Sequence, residues 1–273
     1  MEILNFFLYP LIACILLILI HAYFGIHILE RGIIFVDLSL AQFVGVGIAC
    51  SFLFSHDGVL KYVLSISFAV LGALILALSR KIAKLTNIEA FIGVLYIFSF
   101  AMSILILDRT PHGTEEFKAI LNGNIIWVNG KDVVYTFAVY AAIGIFHFIF
   151  REKFLQLSRE GKGSYWWEFL FFLSFAIVLV KSVQMAGILQ VFAFLIIPAL
   201  IGKLFTRKLS FVLTGGWLLG FLSSSAGLFA SYKWDLPTAP LIVASLSLFY
   251  FLMLGVKAFT GRKATGDANK GNA

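Results

Sequence analysis

RGIIFVDLSLAQFVGVGIACSFLF, residues 31–54, is an apolar run long enough to cross a bilayer, yet it carries an acid, Asp37, near its start. An ionised aspartate deep in a transmembrane helix costs roughly 2.5–3.5 kcal/mol on insertion scales, so a carboxylate there normally faces a bundle interior or a water-filled path. Asp37, Ala41, Gly45 and Ala49 recur at every fourth position and fall on one helical stripe. The small side chains of that stripe let a neighbouring helix come close. The pattern predicts that Asp37 points at protein or at a pore and away from lipid. The alternative is an acid near enough to the helix end to reach interfacial water while pairing with Arg31.

Composition sets the class around that stretch. Of the 273 residues 61% are hydrophobic and 13% charged, and the mean hydropathy is +0.99. Soluble domains carry about a quarter charged residues, so an integral membrane protein is expected. Apolar stretches of ~17–25 residues are too long and too numerous for barrel strands, whereas helices satisfy their own backbone hydrogen bonds in lipid. The expected fold is all-α, a polytopic transmembrane helical bundle. The net charge of +7 raises nucleic acid as a partner, but in a membrane protein an excess of Lys and Arg gathers in cytoplasmic loops, and no nucleic-acid binding is expected. Cys14 and Cys50 lie inside predicted spans without metal-ligand spacing and read as small packing residues. The opening MEILNFFLYPLIACILLILI lacks a basic n-region and a small-residue cleavage site, so a first transmembrane helix is expected there and not a removed signal peptide.

Nine spans are predicted, at about 3–25, 33–54, 61–79, 90–107, 133–150, 166–183, 187–203, 210–231 and 239–258, and the pattern also admits eight or ten. Residues 1–258 form the transmembrane domain. The Gly-, Lys- and Asn-rich tail 259–273 is expected to be disordered. Alternation puts 26–32, 80–89, 151–165, 203–209 and the tail from Lys257 on one side, with 15 of the 21 Lys and Arg. Lys61, Arg109, Lys118, Lys131, Lys181 and Lys233 fall on the other. The richer side is predicted to be cytoplasmic, with the N-terminus out and the C-terminus in. The short span 187–203, with Pro198 near its inner end, is expected to be kinked or tightly paired with the one before it.

Two loops stand out. On the outer face, 108–132 contains Thr114 followed by Glu115 and Glu116, which predicts an N-cap before a short amphipathic helix. His112 with Glu115 or Glu116 has a spacing that suits a divalent cation, although acids favour helix N-termini without any ligand. On the inner face, REKFLQLSREGKGS at 151–164 predicts a short surface helix capped by Gly161 or Gly163, serving as a linker or as a dock for a cytoplasmic partner. Within the later spans, Gly216, Gly220 and Ser224, with Gly227 nearby, suit close helix packing, inside the chain or between two copies. His147 and His21 are intramembrane histidines, each either functional or simply bonded to a backbone carbonyl. His21 lies about as far before the inner end of the first span as Asp37 lies beyond the start of the second, so the two are expected at similar depth.

Catalytic motifs are missing: there is no Gly-x-Ser-x-Gly elbow, no HExxH and no phosphate-binding loop with a following Lys, so the chain is not expected to be an enzyme. Active transport would need an ATPase on another chain or an ion gradient. FVDLSLAQFVGVGIA after the first span, NIEAFIGVLY from Asn87, LNGNIIWV from Leu121, GILQVFAFLIIPALIGKLF around Pro198 and SYKWDLPTAPLIV with Asp235, Pro237 and Pro240 together resemble the metal-type permeases of bacterial ABC importers, which carry zinc, manganese or iron. The resemblance covers roughly residues 10–255. It implies an inner-membrane, multi-pass permease that works as a homodimer, with a cytoplasmic ABC ATPase, an extracytoplasmic metal-binding protein and surrounding membrane lipid as partners. It implies no bound cofactor.

The same resemblance places the metal path at Asp37, but Ala41 stands where such permeases commonly have a His four residues later. His21 or Gln42 is the expected substitute ligand. It also puts the ATPase-coupling loop at 154–163, hence Phe154, Leu157, Arg159 and Gly163, although Leu155 replaces the usual acid. Carboxylate oxygens suit manganese and imidazole suits zinc or iron, and one acid does not choose among them. A gradient-driven secondary carrier and a non-transporting membrane scaffold are the alternatives from other classes; paired broken helices, the mark of many carriers, are not found in the sequence.

Overall fold

The computed structural model describes residues 2–54, 58–83, 85–159, 164–206 and 208–270, with side chains described for 7–54, 58–79, 81–83, 85–159, 164–206 and 208–259. Within them the chain is helical without strands, and eight helices are long and apolar enough to cross a membrane. The order is α1 (Glu2–Arg31), α2 (Val36–Phe54), α3 (Gly58–Ala77), α4 (Ser79–Ile82), α5 (Ile88–Leu107), α6 (Gly113–Asn122), a 3-10 turn (Ile125–Trp127), α7 (Gly130–Ile149), α8 (Arg151–Arg159), α9 (Tyr165–Phe205), α10 (Leu209–Trp234) and α11 (Thr238–Lys270). Local chemistry sets several ends. The Asn87 side chain accepts from the Ala90 N–H at 3.0 Å and starts α5, and Asn129 accepts from the N–H groups of Lys131 and Asp132 and starts α7. The left-handed Asp235, φ 50°, ends α10 just ahead of Pro237.

One helix accounts for two of the expected spans. α9 runs 41 residues and is broken at Gly187, φ 75° and ψ 165°, a backbone region essentially restricted to glycine. Near its start, Glu168 pairs with Arg31 at the end of α1. Near its end, Lys203 lines one pocket with Glu30 and Arg159, on that same face. Its middle lies at the opposite face, where Asn124 donates to the Met185 carbonyl at 3.0 Å and Lys181 pairs with Asp132 at 3.0 Å. The helix is therefore a V of two arms, about 33 Å and about 27 Å long, each enough for one crossing. The nine predicted crossings are present as eight helices, one of which reverses at Gly187.

α2 and α9 form the centre. Nearly all of α2 is buried, enclosed by α3, α5 and α9 with α6 over one end. The Asp37 stripe faces protein as its spacing predicts: a Cβ on Gly45 would meet Ile120 of α6 and Ile188 of α9 at 3.4 and 3.5 Å. The glycines of α10 pack inside the chain, Gly216 on Pro198 of α9, Gly220 on Ile18 of α1 and Gly227 on Ile242 of α11. α5, α7 and α11 leave apolar rows uncovered, among them Phe98, Leu105, Val134, Phe137, Phe251 and Leu252. Such rows match lipid and would be aggregation sites in water.

Some boundaries differ from expectation. α6 begins at Gly113 behind His112, which makes no side-chain cap, and not at Thr114. The close approach of Gly113 to the Leu107 carbonyl fixes the start there, and Glu116 instead accepts from the Thr110 hydroxyl at 3.0 Å. Gly161 and Gly163, expected to cap α8, lie outside the described residues, as do the side chains of the tail from 260 onward.

Candidate functional site

Asp37 occupies the first turn of α2, where the helix dipole favours a carboxylate. Its relative exposure is 0%, and neither carboxylate oxygen has a hydrogen-bond partner. Pairing with Arg31 does not occur. Arg31 instead forms an ion pair with Glu168 at 3.7 Å, donates to the Ser158 hydroxyl at 3.4 Å and lies over the Phe171 ring at 4.2 Å. A buried acid without protein donors is costly unless a cation or water satisfies it. Close by in sequence, the Ser39 hydroxyl is also buried without a partner.

His21 is fully buried on α1. Its Nδ1 donates to the Leu17 carbonyl at 2.8 Å, Nε2 has no partner, and the ring meets Tyr140 edge-on at 6.5 Å between centroids. It thus faces α7, while the Asp37 stripe faces α6 and α9. The two helices scarcely touch, and α9 packs against both, so α1 and α2 do not form the hairpin contact suggested by their order. Gln42 is buried too, but it lies about 140° round α2 from Asp37, whereas Ala41 stays on the Asp37 stripe. No group of three or more His, Cys, Asp and Glu side chains suited to a metal occurs among the described residues, His112 with Glu115 and Glu116 included.

The coupling residues separate by burial. Phe154 and Leu157 were expected on an accessible surface; they are instead 0% and 1% exposed, because α8 lays its apolar side on α1, α7 and α9. Phe154 stacks on His147 and meets the Trp167 ring edge-on at 5.7 Å between centroids. Arg159 is about half exposed and pairs with Glu30 at 3.5 Å. Gly163 lies outside the described residues. The outward face of α8 consists of Arg151, Glu152, Lys153, Gln156 and Arg159.

Sequence reading missed the polar junction beneath α8. His27 Nδ1 lies 2.8 Å from the Ser158 hydroxyl, which also accepts from Arg31. Tyr23 and Ser174 take the two ring nitrogens of His147 at 3.0 and 2.7 Å. His27, a second intramembrane histidine six residues after His21, was the available signal. Glu89, in the first turn of α5, was missed as well; it accepts from the Phe35 N–H at 3.2 Å and ties the entry of α2 to α5.

Among known proteins, the chain is 25% identical over 235 residues to the manganese transport system membrane protein MntC of Listeria innocua, covering 84% of this chain and 82% of that one. It is 26% identical over 217 residues to the manganese transport system membrane protein MntB of a Synechocystis species, covering 74% and 70%. The fold matches PsaBC from Streptococcus pneumoniae, solved in complex with Fab, with a TM-score of 0.75 at 24% identity, over 92% of this chain and 93% of that one. The family model described as the ABC 3 transport family matches residues 4–257. A match over nearly the whole chain, on a bundle of membrane-spanning helices, shows that this protein belongs to the ABC 3 transport family.

Proposed function

We propose that the chain is the permease subunit of an ABC importer for a divalent transition metal, manganese first among manganese, iron and zinc. The observation that carries this is Asp37, a carboxylate sealed inside the central helix of the bundle with both oxygens unpartnered. Oxygen donors suit manganese better than zinc, and the relatives named above are manganese transport membrane proteins. The chain holds no nucleotide-binding loop, so a cytoplasmic ATPase supplies the energy, and an extracytoplasmic binding protein delivers the ion to a pair of permeases. The N-terminus lies outside and the C-terminus in the cytoplasm, because the face bearing Arg31, Arg151, Arg159 and Lys203 carries most of the basic residues. In this arrangement Lys153, Gln156 and Arg159 on the outward face of α8 meet the ATPase, and the junction under Ser158 passes its movement to α1 and α9.

The test is uptake of labelled manganese into vesicles holding the chain with its ATPase and binding protein. Uptake that needs ATP inside and persists when proton and sodium gradients are dissipated supports the proposal. Uptake driven by a gradient without ATP would establish a secondary carrier, and none in the complete assembly would leave a scaffold role.

A further inference from the structure

The lipid-facing side of α1 carries a groove that borders Tyr23 and His147 of the junction beneath α8 and does not include Asp37. α7 and α10 both pack on α1 and scarcely on each other, which leaves a cleft with α1 as its floor. The cleft has a volume of about 410 Å3 and is walled by Leu16, Phe137, Tyr140, Gly144 and Trp217, with Arg151 as the single charged residue of its lining. Arg151 follows the end of α7, is 61% exposed, and holds its Cζ 5.5 Å from the Phe148 ring centroid. Glu152 approaches it at 3.4 Å but is 74% exposed, and such surface pairs are worth about 0–1 kcal/mol. The guanidinium remains available to a phosphate.

Dimensions select the occupant. From Phe137 to Ile149, the last residue of α7 before Arg151, the helical rise covers about 18 Å, which exceeds one leaflet's share, about 15 Å, of the hydrocarbon core. Spread over that length, the volume leaves a cross-section of roughly 20 Å2, against about 80 Å2 for a helix about 10 Å across. A helix of a second copy does not fit, and a single extended hydrocarbon chain does. An apolar slot that opens at the membrane surface beside one cation matches a molecule with an acyl tail and an anionic head. We propose that this groove is a phospholipid site, with one acyl chain between α7 and α10 and the phosphate of an anionic headgroup on Arg151.

Trp217 in the groove wall reports occupancy. The full-length chain is placed in phosphatidylcholine vesicles containing a minor fraction of phosphatidylglycerol with brominated acyl chains, and quenching of Trp217 is taken by difference from Trp217→Phe. The wild type is expected to be quenched more by brominated phosphatidylglycerol than by brominated phosphatidylcholine. Arg151→Gln, a change on an exposed side chain, is expected to need about five-fold more phosphatidylglycerol for the same quenching. Gly144→Leu should abolish the preference by filling the slot, since a Cβ at Gly144 meets no atom within 4 Å. Equal quenching by the two lipids, or an unchanged preference in Arg151→Gln, would overturn the proposal. So would cross-linking between copies through Gly144→Cys, which would show that a second permease covers the groove.

Discussion

Phe154 of α8 and His147 of α7 lie face to face, their ring centroids 4.1 Å apart and their planes within 9° of parallel. Both nitrogens of His147 are already engaged, by Tyr23 of α1 and Ser174 of α9. This histidine is therefore a joint of four helices and is not open to a metal. The same stacking seats α8 on the bundle, so a push on α8 is felt by α1 and α9 without passing through a flexible loop.

Phe154→Ala should cost about 3–5 kcal/mol, the usual loss for a large buried aromatic, and Phe154→Asp should abolish folding. Fluorescence-detected size exclusion after graded heating checks both. Charge reversal at Lys153 with Arg159, on the outward face, should leave the elution profile intact and weaken retention of the ATPase on co-purification. Full ATPase retention in that double variant would move the coupling surface elsewhere.

Ser158→Ala removes the hydroxyl shared by His27 and Arg31. Hydrogen bonds between membrane helices average about 0.6 kcal/mol and reach about 1.7, and the change should fall in that range because His27 and Arg31 lose one shared partner. Loss of transport-stimulated ATP hydrolysis with nearly normal stability is the expected signature; unchanged stimulation would show that the junction does not transmit movement.

Gly187→Ala should destabilise the protein by about 1–3 kcal/mol or more, since the left-handed, extended backbone there is strained for any side chain. The added methyl would also enter the backbone of Gly123, φ 62°, where the two glycines meet. An unchanged melting temperature in this variant would contradict the V-shaped reading of α9.

Topology is checked by a membrane-impermeant thiol reagent on intact cells. His112→Cys should be labelled and Lys153→Cys protected, because these residues lie on opposite faces of the bundle. The reverse pattern would invert the orientation argued from charge.

Much of this was legible in the sequence because lipid imposes a simple code. The number of crossings, the buried direction of the Asp37 stripe and the packing of Gly216, Gly220 and Gly227 all follow from hydropathy and four-residue spacing. The start of α6 was misplaced because the approach of Gly113 to the Leu107 carbonyl is set by the shape of the turn between α5 and α6, which residue type alone does not reveal. Burial of Phe154 and Leu157 was missed for a related reason: an amphipathic helix on a membrane surface has the same pattern whether its apolar side meets lipid or protein. The separation of His21 from Asp37 was invisible because consecutive helices are ordinarily neighbours, and nothing local announces that α9 packs against both α1 and α2. His27, Ser158 and Glu168 form their junction across long sequence distances, which single-residue reasoning does not reach.

In the proposed transport cycle Asp37 holds the metal on its way through the bundle, and the decisive variant is Asp37→Asn. The amide keeps the size and removes the charge, so the variant should reach the membrane in near-normal amount. Manganese uptake in vesicles loaded with ATP and supplied with the binding protein is predicted to fall to background, while the ATPase remains bound. Uptake at the wild-type rate by that variant, at equal permease abundance, would contradict the account.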